Sequence, residues 1–262
     1  MTSQALPHGR YSVEMTERLG SGLFAFSIAA MGVTSLVWMN AGVEFTKGSL
    51  VLPIMPYPPA GAVLAVLFGI VMIVCGAMMF RTSTARMGAI VFAAVYVFAA
   101  LFFDLPRLIG HPGSIGLRTL FFQPLALAGL AWMLPAAQLP NDWRMHFARY
   151  SIAAALIVFG ADHFATLGSI ASIVPGWIPF HTFWAIFFGI AFIAAGLSFA
   201  TNLLRGWAAA GLALMFAIFD ATIHIPAALG SRDPDSWCSI FIVSALCGGF
   251  LALAEVRSRP AP

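Results

Sequence analysis

Long apolar runs, each of about 20 residues and separated by short polar connections, succeed one another along this chain. They read as Leu19–Met39, Ala60–Phe80, Met87–Leu105, Ile115–Pro135, Tyr150–Gly168, His181–Ala200, Gly206–Ala227 and Ser236–Val256. A helix of that length crosses a ~30 Å hydrocarbon core, and within one helix every backbone N–H and C=O finds its partner without water. The pattern predicts an all-α membrane protein of about eight transmembrane helices with almost no soluble domain. Composition points the same way. Only 9% of residues are charged and 61% are hydrophobic, whereas a soluble domain carries roughly 25% charged residues to cover its surface. A polar stretch, 1–18, precedes the first run, which is long enough to stay in the bilayer as an anchor rather than be cleaved.

The net charge of +3 does not mark a nucleic-acid binder, because the basic residues form no stripe. They sit singly at the ends of apolar runs, where they act as topology signals. An even number of spans puts both termini on one side, together with Arg10, Arg18, Arg81, Arg86, Arg144, Arg149, Arg205, Arg257 and Arg259. Lys47, Arg107, Arg118 and Arg232 fall on the other. The imbalance predicts cytoplasmic termini in a cell inner (plasma) membrane, with the loops around Tyr57, His111, Pro175 and Asp233 facing outward. The cysteines form neither a CxxC pair nor a disulfide framework. Cys75 and Cys247 lie within apolar runs as small hydrophobes, and Cys238, near a boundary, is the one to watch for redox chemistry.

The two halves repeat. Met55-Pro56-Tyr57-Pro58-Pro59, then Leu67-Phe68-Gly69 and Gly76, correspond to Pro175-Gly176-Trp177-Ile178-Pro179, then Phe187-Phe188-Gly189 and Gly196. The Gly spacing returns to nearly the same helix face after two turns and offers a seam to a neighbouring helix. Phe103-Asp104-Leu105-Pro106 matches the neighbourhood of Phe219-Asp220 and Ile225-Pro226. The expected organisation is a cytoplasmic tail (1–18), a first four-helix unit (19–136), a cytoplasmic linker (137–148), a second unit (149–256) and a cytoplasmic tail (257–262). An even span count per copy makes this a parallel repeat of two four-helix bundles.

The copies differ where chemistry could reside. The second carries Asp162, His163, His181, Asp220 and His224, all near the outer ends of its spans, with Asp220 and His224 one helical turn apart. The aligned positions of the first copy are Thr34, Ser35 and Gly61, with Asp104 retained. Ionisable groups inside a membrane are costly and are functional candidates by default. Three readings of the set are open. As a proton or quinone site, His163 or His224 accepts the proton beside Asp162 and Asp220. As a metal site, His163, His181, His224 and Asp220 ligate a transition metal. As a structural cluster, the carboxylates cap backbone and pair with the imidazoles.

Trp177, Trp184, Trp237 and Tyr57 lie at span ends as interfacial anchors, and a cofactor at that level would have His181, Trp177 and Trp184 for neighbours. His111, between Gly110 and Pro112, reads as solvated. Asp142, Arg144 and His146 form an inner-loop charge group, and Arg107 is expected to snorkel to the headgroups rather than pair with Asp104. No span is broken midway by paired Gly and Pro, which argues against an alternating-access transporter.

Gly160-Ala161-Asp162-His163-Phe164, Val174-Pro175-Gly176-Trp177-Ile178-Pro179-Phe180-His181, the Gly189 and Gly196 pair and His224-Ile225-Pro226 resemble the DoxX-like family of small bacterial membrane proteins. The resemblance covers roughly residues 149–256, and the first half only as a degenerate copy. It implies a four-helix bundle and an association with quinone-linked sulfur or thiol oxidation and oxidative-stress complexes. The leading expectation is a quinone-linked membrane oxidoreductase subunit with a soluble or membrane redox partner. A metal-binding protein without turnover and a non-catalytic scaffold are the alternatives.

Overall fold

The structure, a computed structural model, describes residues 8–40, 58–134, 142–231 and 234–254. Tyr57, Lys47, residues 55–56 of the repeat motif, Arg232, Asp233, Arg257 and Arg259 lie outside the described residues. Helices are the regular elements found among the described residues: α1 (His8–Asn40), α2 (Pro58–Met79), α3 (Thr82–Ala99), α4 (Leu105–Gly110), α5 (Ile115–Met133), α6 (Trp143–Ala165), α7 (Leu167–Ile173), α8 (His181–Thr201), α9 (Arg205–Phe219), α10 (Ile225–Gly230) and α11 (Pro234–Ala254). Two expected boundaries move. The polar stretch read as a tail is already helical from His8, and α6 begins inside the expected linker, where the Asp142 carboxylate accepts from the Arg144 N–H at 2.9 Å and caps it.

Six of these helical stretches are long and apolar enough to cross a membrane. α6 and α7 pass the same test only together, bent by 95° at their junction, and count as a seventh when taken as one span; Ala65–Met79 of α2 is apolar but shorter. Outward faces carry exposed Leu67, Ile70, Phe102, Phe183, Ile190 and Leu214, while Phe24, Met72, Phe92, Tyr96, Phe199 and Phe250 fill the interior. An apolar surface of this extent is stable only against lipid. This is the architecture of a multi-pass membrane protein.

The helices form a closed ring. α1 packs on α2, α2 on α3, α3 on α5, α5 on α6, α6 on α8, α8 on α9, α9 on α11, and α11 returns to α1. A smaller α5–α11 contact crosses the middle. Two self-contained four-helix bundles would close each unit on itself, α1 on α5 and α6 on α11. Neither pair makes a substantial contact among the described residues. The last helix of each expected unit instead packs against the first helix of the other, α5 on α6 and α11 on α1.

Glycines set the closest approaches. A Cβ on Gly69 would meet the Gly32 carbonyl at 2.9 Å, and one on Gly160 the Gly189 carbonyl at 2.7 Å, so the seams expected at Gly69 and Gly189 seat α2 on α1 and α8 on α6. The ring-closing contact has the same device in Gly248, whose Cβ would lie 2.7 Å from the Gly20 carbonyl.

Two π-turns interrupt the long helices, Ala100–Asp104 after α3 and Asp220–His224 after α9. A proline explains each. Pro106 and Pro226 have no N–H to give the carbonyl four residues back, and their rings crowd it. The chain widens by one residue instead, with the Leu105 N–H reaching the Ala100 carbonyl and the Ile225 N–H the Asp220 carbonyl. This backbone correspondence places Asp104 opposite His224 and Ala100 opposite Asp220. The expected pairing of Asp104 with Asp220 is therefore shifted by one π-turn.

Candidate functional site

The end of the array that carries His111 gathers the start of α5, the end of α6, the start of α8 and the second π-turn. His111 itself is exposed there, as expected of a loop residue. At the start of α5, the Ser114 hydroxyl accepts from the Leu117 N–H at 3.4 Å, and the next turn brings Arg118 toward α6. The Arg118 guanidinium donates from Nε (2.9 Å) and Nη2 (2.5 Å) to Oδ1 of the buried Asp162. Its Nη1 donates to the Pro112 carbonyl at 3.3 Å. Asp162 Oδ2 is buried with no hydrogen-bond partner. Arg118, which reads in the sequence only as a topology signal, is thus the partner of Asp162 and ties α5 to α6.

His163 turns the other way, onto α8. Its Nδ1 lies 2.7 Å from the Phe159 carbonyl. A carbonyl only accepts, so Nδ1 carries a proton, and in the neutral ring Nε2 keeps a lone pair. The ring packs 5.2 Å from Phe192.

Asp220 opens the second π-turn and is buried. The Ser244 hydroxyl of α11 donates to its Oδ2 at 2.6 Å, while Oδ1 is buried without a partner. His224 closes the same turn, half-buried, with no hydrogen bond to another described residue. Phe219, beside Asp220, meets Phe188 edge-on at 4.8 Å, and Phe188 stacks on Trp184 at 6.0 Å. The Trp184 indole N–H donates to the Pro179 carbonyl at 3.1 Å. His181 is the half-buried first residue of α8. Trp177 is 75% exposed.

No hydrogen bond or ion pair joins Asp162, His163, His181, Asp220 and His224 to one another among the described residues. The set divides into an Arg118–Asp162 pair, a back-bonded His163 and the Asp220–His224 turn. Among the described residues no group of three or more His, Cys, Asp or Glu side chains is placed to hold a metal ion, so the metal reading of His163, His181, His224 and Asp220 finds no ligand cluster. In the first π-turn, buried Asp104 has Arg107 Nη1 at 4.0 Å, so this arginine approaches the carboxylate that the snorkelling expectation left without it. Of Asp142, Arg144 and His146, the first two form a local pair, Arg144 Nε to Asp142 Oδ2 at 3.5 Å.

Ser244 carries no signal in the sequence beyond being a hydroxyl in an apolar run. All three cysteines are buried, and none is in a disulfide. Cys238, expected at an accessible boundary, has its sulfur 3.6 Å from the Thr34 hydroxyl. Maleimide labelling of the folded protein is expected to leave all three unmodified, with reaction only after denaturation; rapid labelling of Cys238 would contradict its burial.

A family model, the domain of unknown function DUF8561, matches residues 152–244, which include Asp162, His163, His181, Asp220, His224 and Ser244. The search of curated proteins found no match, and neither did the search of solved structures.

Proposed function

We propose that the protein is a quinone-linked redox subunit of a bacterial inner membrane, with the second π-turn as its quinone-head site. One observation carries this reading: Asp220 is a buried carboxylate with one oxygen held by Ser244 and the other left without a partner. His224 follows one π-turn later, and Phe219, Phe188 and Trp184 lie alongside as an aromatic surface suited to a quinone ring. Reducing a quinone takes up electrons and protons. In this reading Asp220 and His224 hand over the protons, and the electrons come from a soluble or membrane redox partner. The motifs that resemble the DoxX-like family, over roughly residues 149–256, motivate the same assignment.

The wider organisation belongs to this proposal too. α2 completes an eight-span topology with both termini cytoplasmic, supported by the skew of arginines toward that side. The halves are parallel repeats, supported by matching glycine seams and by two π-turns each followed by Leu-Pro or Ile-Pro.

The test is turnover and binding of a short-chain quinone by the purified protein in nanodiscs, in wild type, Asp220→Asn and His224→Ala. Loss of a positioned acid–base group should lower turnover by about a hundredfold or more. Unchanged turnover and affinity in both variants would sink the quinone reading. A second reading, a scaffold without turnover, is favoured by the Arg118–Asp162 bond between the units; absence of any quinone binding in the wild type would select it.

A further inference from the structure

α8 and α9 do not close on one another as the glycine-seamed pairs do. Ala191 and Ala195 of α8 and Ala208 and Gly211 of α9 line a shared groove of about 630 Å³. Small residues ordinarily let lipid-embedded helices approach until their backbones touch. Here a Cβ on Gly211 would meet nothing within 4 Å, whereas one on Gly69, Gly160 or Gly248 would strike the neighbouring helix.

Strained turns set the ends of this pair. Phe180, Asn202 and Leu204 are the non-glycine residues with left-handed backbone among the described residues, at φ 61°, 61° and 53°. All three flank α8 or α9. That conformation is strained for a phenylalanine or a leucine, and both side chains are exposed, so their own burial does not offset it. Strain of this kind collects at ligand clamps.

The groove also has a direction. Phe188 and Ile218 form one end, beside Phe219 and Asp220. From there it follows α8 to Thr201 and Leu204, over about 20 Å at a helix rise of ~1.5 Å per residue. Both hydroxyls in the lining are already engaged: Ser198 donates to the Leu203 carbonyl, and Thr201 donates to the Leu197 carbonyl at 2.8 Å. A ligand's polar head therefore finds partners at the Asp220 end, and the rest of the groove takes hydrocarbon.

We infer that the α8–α9 groove holds the polyprenyl tail of a quinone whose ring sits at the second π-turn. The tail runs past Ala191, Ala195 and Gly211 toward Leu204. This rests on the quinone reading and adds the substrate class, a long-tailed quinone drawn from the lipid. An acyl chain of bulk lipid can touch the same groove, but nothing anchors its end there. A tail tethered through its head meets the groove at a raised effective concentration.

The experiment uses the full chain in nanodiscs and two benzoquinones with the same head, one tailless and one with a tail of four prenyl units. The dissociation constant of each is measured for wild type and Gly211→Leu, so that partition into the lipid cancels between the two proteins. The tailless-to-tailed ratio should fall on the order of tenfold in Gly211→Leu, because the leucine side chain enters the groove and overpacks the tail. A second measurement needs only wild type and carries the test should the variant not fold. The tailed quinone with a diazirine at its tail tip should crosslink to Leu204 or Trp207. Excess unlabelled tailed quinone should suppress that crosslink, and added phosphatidylcholine should not. If the tailless quinone binds, an unchanged ratio would overturn the tail site and leave the head site standing. So would crosslinks spread without competition over lipid-facing residues such as Leu67 and Phe102. Absence of binding by either quinone would remove the head site, and the tail site with it.

Discussion

Gly248→Leu is expected to abolish the folded state or to lower its thermal midpoint more than loss of any single polar contact in the molecule. A Cβ at this position would lie 2.6 Å from the Phe24 nitrogen and 2.7 Å from the Gly20 carbonyl oxygen. Both are backbone atoms of α1, so no rotamer change relieves the overlap and the helices must separate. Between lipid-embedded helices, association comes from close van der Waals contact rather than from expulsion of water, and separation forfeits that contact along the whole seam. The expected loss is upwards of about 4 kcal/mol, within the range reserved for gross overpacking. Gly248→Ala should show a smaller loss of the same kind. Gly116→Ala, where a Cβ meets nothing within 4 Å, should be neutral or slightly stabilising. Thermal unfolding in detergent measures all three, and a Gly248→Leu protein as stable as wild type would refute the α1–α11 seam.

Arg118→Ala should come second, lowering stability by about 3 kcal/mol. The substitution leaves Asp162, 7% exposed, as a carboxylate facing apolar surroundings with neither oxygen satisfied. The penalty is chiefly that of stranding a buried charge, so its sign depends on the partner that remains. Asp162→Leu in the same chain should recover most of the loss, because replacing both members of a buried pair is far cheaper than removing one. A double variant no better than Arg118→Ala alone would show that the arginine acts through packing or through the Pro112 carbonyl instead. If the bond is only a clamp between units, the double variant should also retain whatever quinone affinity the wild type shows.

The helices are legible in the sequence because each run is apolar over a membrane's width, and length alone decides that reading. Which helix meets which is not legible. Gly20 and Gly248 are small residues in apolar runs, like many others in the chain, and nothing in a run's periodicity names its partner. Arg118 counts toward the charge balance without revealing its pairing: the positive-inside rule uses the position of an arginine and discards the direction of its side chain. Asp104 aligns with Asp220 on shared chemistry, whereas the spacing to Pro106 and Pro226 sets it against His224. The proline is the better guide, because it acts on the backbone and the backbone fixes where side chains sit. The five polar residues of the second unit lie toward one end of the array because they fall at the ends of their helices, which the apolar runs already mark. Their separation into independent interactions depends on the rotations of α6 and α9, which a linear pattern does not contain.

The ring closure on α1 has a consequence for how the chain is made. During synthesis α1 enters the bilayer while most of the sequence is still untranslated, and although its Gly32 face meets α2 early, its Gly20 face is matched by α11, the last helix described. Until then that face borders lipid or a transient companion, and no early intermediate has the native arrangement. The order of insertion and the order of assembly are therefore different, and the final helix acts as a latch that closes the ring of helices.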